Sequence, residues 1–481
     1  MSVTDPVTAL REMLGPKGWL SGSDARPYQR DWLDRYGVAA LGVARPADTS
    51  EVAGVVKTCH AAGLAVVPQG GNTGLCGGAV ADRPDAVIVS LSRMTAIGKP
   101  DLDSGSILVE AGAVLAALHE ALEPHGLMFP MHLGAEGSAR IGGLVGTNAG
   151  GSQAFRYGMM QDLVLGLEVV TPDGAIWNGL RAVQKDNAGY QLRKLYCGAE
   201  GTLGIVTRAI LRLYPMPRRQ ASALVVMPDF AAAVSFGTFL RGEAGEFLTG
   251  LEFFSDIGLG LALKHLPDLA YQLEARGEVY VLVELASGAP RVPLDEILAS
   301  ALEWGMEQGL VLDGALAATG AHRAQFWRLR EEQPEGQRLE GEQLKHDISV
   351  PPGAIARFVE AGAEICDDIL PGVRINPFGH LGDGNIHYNL SPPEGRADFD
   401  GKAERFAEAL SSLATEMGGS FAAEHGLGRA KITMADRNRS PLERELMARL
   451  KHAFDPRDTM NPGVLVRAAR QKKNFRIDGI S

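Results

Sequence analysis

The sequence predicts an α+β protein of more than one domain, on three observations. Up to Pro215–Pro217, short apolar strands alternate with helical patches and glycine-rich loops. Beyond that point the order becomes β-α-β-β-α, which fits a ferredoxin-like antiparallel sheet with helices on one face. The chain then closes on an amphipathic helix, LERELMARLKHAF, stopped by Pro456 and followed by a turn. With 481 residues, 45% of them hydrophobic and 22% charged, there is enough apolar material for two or more cores.

The elements follow in chain order. DTSEVAGVVKTCHAAG reads as a capped helix, with Asp48 at the start, Glu51 three residues on, and Val52, Val55 and Val56 on one face. GLAVVPQGG is a strand that runs into a glycine loop. DAVIVSL, SILVEAG, VLGLEVVTPDGAIW and LGIVTRAILRLYP are further strands, with Pro172–Asp173–Gly174 marking a turn. In the second part ALVVM, a helix after Asp229, FLTGLEFF, VYVLVELA and a helix from Leu294 supply the β-α-β-β-α order. Internal repeats and low-complexity linkers are absent from the sequence.

Composition narrows the function classes. A formal net charge of −11 with no long basic run makes nucleic acid and anionic membrane poor partners. The four cysteines (Cys59, Cys76, Cys197 and Cys366) have no CxxC spacing, which argues against an iron–sulfur cluster, a cysteine zinc site or a disulfide framework. The N-terminus lacks a basic stretch followed by an apolar core, and no apolar run reaches membrane-spanning length. The expected location is cytoplasmic, extending to a peripheral place at a membrane partner.

Three glycine-rich segments stand beside predicted strands. PQGGNTGLCGGA, Pro68–Ala79, can turn backbone N–H groups toward an anion, and Thr73 adds a hydroxyl. It matches neither GxGxxG nor the Walker pattern. One such loop is an ordinary tight turn, but GAEGSARIGGLVGTNAGG and GAEGTLGIVT repeat the theme. Three together indicate backbone passing close to a large flat ligand, a nucleotide cofactor. These segments resemble the FAD-binding domain of the vanillyl-alcohol oxidase superfamily, the PCMH-type fold, over roughly residues 38 to 217. The resemblance implies that Pro68, Gly70, Gly71, Asn72, Thr73 and Gly74 hold the FAD pyrophosphate. It also implies that Ser138, Gly142, Gly143, Asn148 and Gly151 line the dinucleotide, that Gly201, Gly204 and Ile205 lie against it, and that Asn461 joins the cofactor-binding set. Many relatives attach flavin covalently through a histidine directly after the paired glycines. This chain has Asn72 there, so the expected cofactor is non-covalent FAD.

PFGHLGDGNIHYNL, Pro377–Leu390, carries two histidines around a glycine-rich turn. Ile386, Tyr388 and Leu390 alternate with His387 and Asn389, so the last two share a face of a strand. The turn could fold His380 to the same side, and AAEHGLG offers Glu424 and His425. Two histidines and a carboxylate with an open position suit catalytic Zn²⁺; Mn²⁺, Co²⁺ and Fe²⁺ fit the same donors. Spacing alone leaves a second reading open, in which the histidines cap turns or hydrogen-bond flavin. Asp383, between two glycines, reads as a turn residue more than a ligand.

GHLGDGNIHYN and AEHGLGRAK resemble the signatures of the FAD-linked oxidase C-terminal family, which includes D-lactate dehydrogenases, D-2-hydroxyglutarate dehydrogenase and the glycolate oxidase flavoprotein subunit. In the D-2-hydroxyglutarate branch the matching positions imply His380, His387 and Glu424 as metal ligands, His425 as base and Asn389 beside substrate and metal. Arg330 of FWRLRE and Lys345 before HDISVP match the family's substrate-binding cations; an arginine grips a carboxylate with two parallel hydrogen bonds, and a lysine acts as a mobile point charge. Pro334 departs from the pattern, since that branch has a hydroxylated residue there and proline donates no hydrogen bond. The distal end of the substrate is therefore open between 2-hydroxyglutarate, lactate and malate types.

The resemblance implies three regions: 1–217, a PCMH-type FAD-binding domain; 218–424, a ferredoxin-like antiparallel-sheet substrate domain with the metal site; and 425–481, a helical C-terminal segment packing back toward the FAD domain. The implied enzyme is a FAD- and metal-dependent D-2-hydroxy-acid dehydrogenase. Its electrons would pass to an electron-transfer flavoprotein, quinone or cytochrome, and a homodimer is the family-level expectation. The alternative is a flavoprotein subunit of a glycolate-oxidase-like respiratory complex, with any iron–sulfur relay on another chain. A colourless metal-dependent hydrolase or lyase is the rival of a different class, separable by flavin colour.

Overall fold

The structure is a computed structural model that describes residues 5–468. The chain divides into two compact units. One comprises the chain up to Gly151, Tyr157–Pro215 and the chain from Glu424; the other comprises Ser152–Arg156 and Met216–Ala423.

The first unit contains two four-stranded sheets. In one, β1 (Trp19–Leu20), β2 (Gly42–Ala44), β4 (Ala86–Ser90) and β3 (Ala65–Gln69) lie in that order, and β2–β4–β3 are parallel. In the other, β5 (Ser106–Glu110), β9 (Ile205–Arg212), β7 (Val164–Val170) and β8 (Ile176–Gly179) are antiparallel. The short strands β6 (Leu127–Met128) and β10 (Tyr214–Pro215) pair separately. The helix expected after Asp48 forms over Thr49–Ala62: the Asp48 side chain accepts the Glu51 N–H at 2.9 Å, and Gly63 closes the helix in the left-handed region. Its buried face (Val52, Val55, Val56 and Cys59) joins one core with strands of both sheets. One buried carboxylate in that core is held by two hydroxyls. Buried Glu168 on β7 accepts Thr49 Oγ1 at 2.6 Å and Thr207 Oγ1 at 2.9 Å, tying the helix start to β7 and β9.

The C-terminal part of this unit contains the expected terminal helix, Pro441–Phe454, capped by Ser440. Near its end, buried Lys451 donates to Asp455 Oδ2 at 2.6 Å and to the Met460 and Thr202 carbonyls. That fixes the turn which lays Met460 beside Val66 of β3 as a parallel bridge.

The second unit is built on a seven-stranded sheet ordered β14-β11-β13-β12-β16-β17-β15, every pairing antiparallel. The strands are β11 (Arg219–Met227), β12 (Leu248–Ser255), β13 (Val279–Ser287), β14 (Asp313–Leu316), β15 (Asp347–Ser349), β16 (Arg374–His380) and β17 (Asn385–Ser391). Helices Phe230–Ala244 and Leu294–Glu307 sit where the sequence placed them, and with Ile355–Ile369 and Ala403–Glu416 they cover one face. The other face is covered too, by Asp256–His265 and Gly320–Glu331 around Leu224, Val226, Tyr280 and Leu282. The physical reason lies in ALVVM and VYVLVEL, which are continuous apolar runs and must be buried on both sides. The β16–β17 hairpin is held in register by Ile386, Tyr388 and Leu390, all fully buried. Each aliphatic side chain buried this way is worth about 1.5–3 kcal/mol, so a one-residue slip, which would turn the whole set outward, is excluded.

Candidate active site

The glycine loops of the first unit pack against one another. A Cβ on Gly71 would collide with the Ser138 carbonyl, one on Gly151 with the His132 carbonyl, and one on Gly142 would lie 2.8 Å from Ala111 Cβ. One on Gly201 would meet Pro68 Cγ at 2.8 Å. The glycines thus let segments 70–74, 132–138 and 142–151 approach closely. Gly74, by contrast, has nothing within 4 Å of its missing Cβ, and Gly143 meets only the Gly70 Cα at 3.8 Å. Two asparagines carry left-handed turns here, Asn72 at φ 54° and Asn148 at φ 49°. Asn148 caps helix Ile141–Thr147 and accepts the Gln161 N–H at 2.8 Å. Asn72 donates to the Arg30 carbonyl at 2.7 Å, while its Oδ1 is buried without a hydrogen-bond partner. Thr73 is half-buried and Ser138 exposed; Gly204 precedes Ile205, the buried first residue of β9. Asn461 is buried, and its amide donates to the Gly78 and Glu200 carbonyls at 2.8 and 2.7 Å. It reaches this loop because its N–H bonds the Val66 carbonyl of β3. A bare glycine surface and accessible hydroxyls fit a phosphate-bearing dinucleotide.

In the second unit one face of the sheet is polar where β12, β16, β17 and β15 meet. Antiparallel register pairs Glu252 with His380, Phe378 with His387, Asn376 with Asn389, and Asp347 with His387. Opposed residues share a face, so these side chains converge. The His380 and His387 rings stand 5.9 Å apart, edge to face. His380 Nδ1 lies 2.7 Å from Glu252 Oε1, and His387 Nδ1 lies 3.9 Å from Asp347 Oδ1. At His380 the carboxylate bonded to Nδ1 fixes the ring and directs Nε2 outward, the arrangement that metal-ligating imidazoles have. Arg330, from helix Gly320–Glu331, is buried against the same face: its guanidinium pairs with Glu252 Oε2 at 3.0 Å and lies over Phe378 at 5.0 Å. Its Nε is buried without a hydrogen-bond partner. Burial would raise the Glu252 carboxyl, but the His380 and Arg330 charges outweigh it and hold it below its ordinary range.

Asn389 donates to Gln337 Oε1 at 3.1 Å, and Gln337 donates to Ser391 Oγ at 3.0 Å. Leu344 bridges Leu390, and Asp347 pairs with His387; the same register sets exposed Lys345 opposite Asn389 on the polar face. Asp383 accepts the Asn385 N–H at 3.1 Å, the turn role its flanking glycines indicate. Pro334 occupies the first turn of helix Gln333–Glu340, where a missing N–H costs nothing.

Glu424 and His425 open the C-terminal segment of the first unit. Glu424 is half-buried and His425 exposed. The residues directly after them are firmly held. Glu200 accepts the Leu427 and Gly428 N–H groups at 2.9 Å, and the Cys76 carbonyl accepts Arg429 and Ala430. Arg429 in turn donates to the Gly77 and Val80 carbonyls at 2.7 Å. Glu200 as a whole is only partly buried, yet its carboxylate is enclosed. Burial pushes it up to about 7 against the opposing pull of those N–H groups.

Glu252, Asp347, Gln337 and Glu200 escaped the sequence reading. Glu252 left one signal, a lone carboxylate inside the apolar strand FLTGLEFF, which can be buried there only with a partner.

Glycine loops shaped for a dinucleotide, with a histidine–carboxylate face on an antiparallel sheet, define a flavin-linked oxidoreductase. Comparison with known proteins agrees. Residues 40–179 match the FAD binding domain, and residues 216–465 match the C-terminal domain of FAD linked oxidases. The chain is 36% identical over 470 residues to a D-2-hydroxyglutarate dehydrogenase of Xanthomonas citri pv. viticola, covering 97% of this chain and 96% of that one. It is 35% identical to the mitochondrial D-2-hydroxyglutarate dehydrogenase of Arabidopsis thaliana, over 95% of this chain and 80% of the relative. Among solved structures, p-cresol methylhydroxylase superposes with TM-score 0.74 at 17% identity, covering 98% of this chain and 97% of that one. The 4-ethylphenol oxidase of Gulosibacter chungangensis gives 0.73 at 17% identity, over 97% of each chain; both show the fold alone. The chain belongs to the FAD-linked oxidase family and is a FAD-dependent oxidoreductase, similar throughout its length to D-2-hydroxyglutarate dehydrogenases.

Proposed function

We propose that the protein oxidises a D-2-hydroxy acid of the 2-hydroxyglutarate, lactate or malate class to the 2-oxo acid, using non-covalent FAD and a divalent cation, Zn²⁺ foremost. The observation that carries this reading is the pair of histidines on one sheet face, each with a carboxylate cross-strand partner, beside Arg330, Lys345 and Asn389. The names of the relatives support D-2-hydroxyglutarate as the first substrate to test. Non-covalent FAD is supported by Asn72, whose amide is no nucleophile for flavin.

His380, His387 and Glu424 are the proposed metal ligands, two imidazoles and a carboxylate. When bound, FAD supplies the hydride acceptor and the cation a Lewis acid toward the substrate hydroxyl. His425 takes the hydroxyl proton; an imidazole suits that transfer near neutral pH. Arg330 Nε is a buried donor that a substrate carboxylate would satisfy, and Lys345 adds a positive charge. Asn389, braced by Gln337, orients the substrate. Glu252 and Asp347 keep the histidine rings turned for ligation.

The test is anaerobic flavin bleaching with a panel of D- and L-2-hydroxy acids, with metal analysis of the same sample. Bleaching confined to D acids, with at least one metal per flavin, is expected. His425→Asn should remain yellow and lose bleaching by about 100-fold or more. A metal-free protein that bleaches fully would overturn the ligand assignment, and normal bleaching in His425→Asn would overturn the base.

A further inference from the structure

Far along the chain from the proposed ligands, the first unit has a second group of donors. His119 lies in helix Leu115–Leu122, and His132 and Glu136 lie in the loop that follows β6. Their rings do not stack: the His119 and His132 centroids are 4.7 Å apart and tilted by 46°. His132 Nδ1 is 3.2 Å and His119 Nδ1 3.8 Å from the same oxygen, Glu136 Oε2. One ligand atom from each residue falls within 4.8 Å of the others. Bonds of about 2.0–2.1 Å in a tetrahedral zinc site separate neighbouring ligand atoms by roughly 3.4 Å. The two nitrogen–oxygen separations already bracket that value.

The backbone around these donors is set before any ion arrives. The Leu115 and Ala116 N–H groups, at the start of the helix, donate to the Ala139 and Glu136 carbonyls at 3.0 and 3.1 Å. The Glu136 N–H itself donates to the Leu133 carbonyl at 3.1 Å. Side-chain rotations alone would therefore close the three donors on a cation. The bland reading is a surface His132–Glu136 hydrogen bond with His119 packed behind it. That bond needs only one imidazole, whereas here two present Nδ1 to a single carboxylate oxygen.

We propose that His119, His132 and Glu136 form a second divalent-cation site, with a donor set of two imidazoles and one carboxylate suited to Zn²⁺ and its first-row neighbours, and with water completing the shell. Its consequence is local. The His132 carbonyl is the atom against which Gly151 packs, and Ser138 follows Glu136 by two residues. An ion here would clasp helix Leu115–Leu122 to the loop that supports the dinucleotide-facing glycines. The site shares no residue with the metal proposed for catalysis, so the two stand or fall separately.

The experiment uses the full-length flavoprotein, stripped of metal and dialysed to equilibrium against Zn²⁺, with bound zinc counted per flavin. Wild type, His132→Ala, His387→Ala and the double variant are compared. His132→Ala should hold one zinc fewer than wild type, and the double variant one fewer than His387→Ala. Glu136→Gln, which keeps the side-chain shape, should weaken the same zinc by about tenfold or more. Equal loading of wild type and His132→Ala, and of His387→Ala and the double variant, would overturn the proposal. Equal loading of wild type and His387→Ala would overturn only the catalytic metal.

Discussion

His387 and Asn389 show what a single residue's neighbours can reveal. Their alternation with Ile386, Tyr388 and Leu390 was legible, because a strand with one apolar and one polar face shows its period. Glu252 was not legible as a partner of His380, since 128 residues separate them and only the β12–β16 register sets them opposite. That carboxylate has two duties: it orients His380 and neutralises Arg330. Glu252→Gln should leave the protein yellow while lowering metal affinity about 10- to 100-fold, as loss of an outer partner does at such sites. Metal titration of the flavoprotein reads this directly, and unchanged affinity would show that His380 needs no such support. Glu252→Ala should be harsher, because a buried guanidinium left without its partner costs about 3–5 kcal/mol. A urea melt comparing the two variants separates orientation from stability.

The β16–β17 hairpin carries this chemistry because its turn is tight. The sequence announced the turn through Gly382, Asp383 and Gly384, but not how closely another segment approaches it. Gly384 sits at φ 87°, and a Cβ there would collide with the Val350 carbonyl, in the loop beyond β15 whose Val350 N–H donates to the Gly384 carbonyl. Gly384→Ala therefore combines left-handed strain with a backbone collision and should destabilise the second unit by more than about 1 kcal/mol. Its urea midpoint should fall with the slope unchanged, and an unaltered midpoint would mean the turn relaxes freely. The parallel and antiparallel sheets of the first unit are a similar case. Their strands were readable from apolar runs, while the order β5-β9-β7-β8 was not, since pairing between distant strands leaves no local mark.

At the scale of the whole molecule, charge and burial make stability depend on pH through Glu200. Its folded carboxyl is raised to about 7 from an ordinary value near 4.5. Between those values the folded chain holds more protons than the unfolded chain, so stability falls as pH rises and the full penalty is felt above about 7. Glu200→Gln should flatten this slope, gaining on wild type as pH increases; thermal midpoints taken from about pH 5 to about pH 8 report it, and parallel curves would exclude Glu200 as the source. No described helix is long and apolar enough to cross a membrane. The sequence by itself determined the α+β class, the glycine loops, the strand face of His387 and Asn389, and the resemblance that the comparisons bear out, because local periodicity and motif chemistry are written in contiguous residues. Only the tertiary structure decided that Glu252 and Asp347 stand behind the histidines, that Arg330 is already half-satisfied by Glu252, and that Glu200 grips the backbone after His425. Those are contacts between segments far apart in the chain, fixed by sheet register and loop closure, and register is a property of the packed core rather than of any one stretch of sequence.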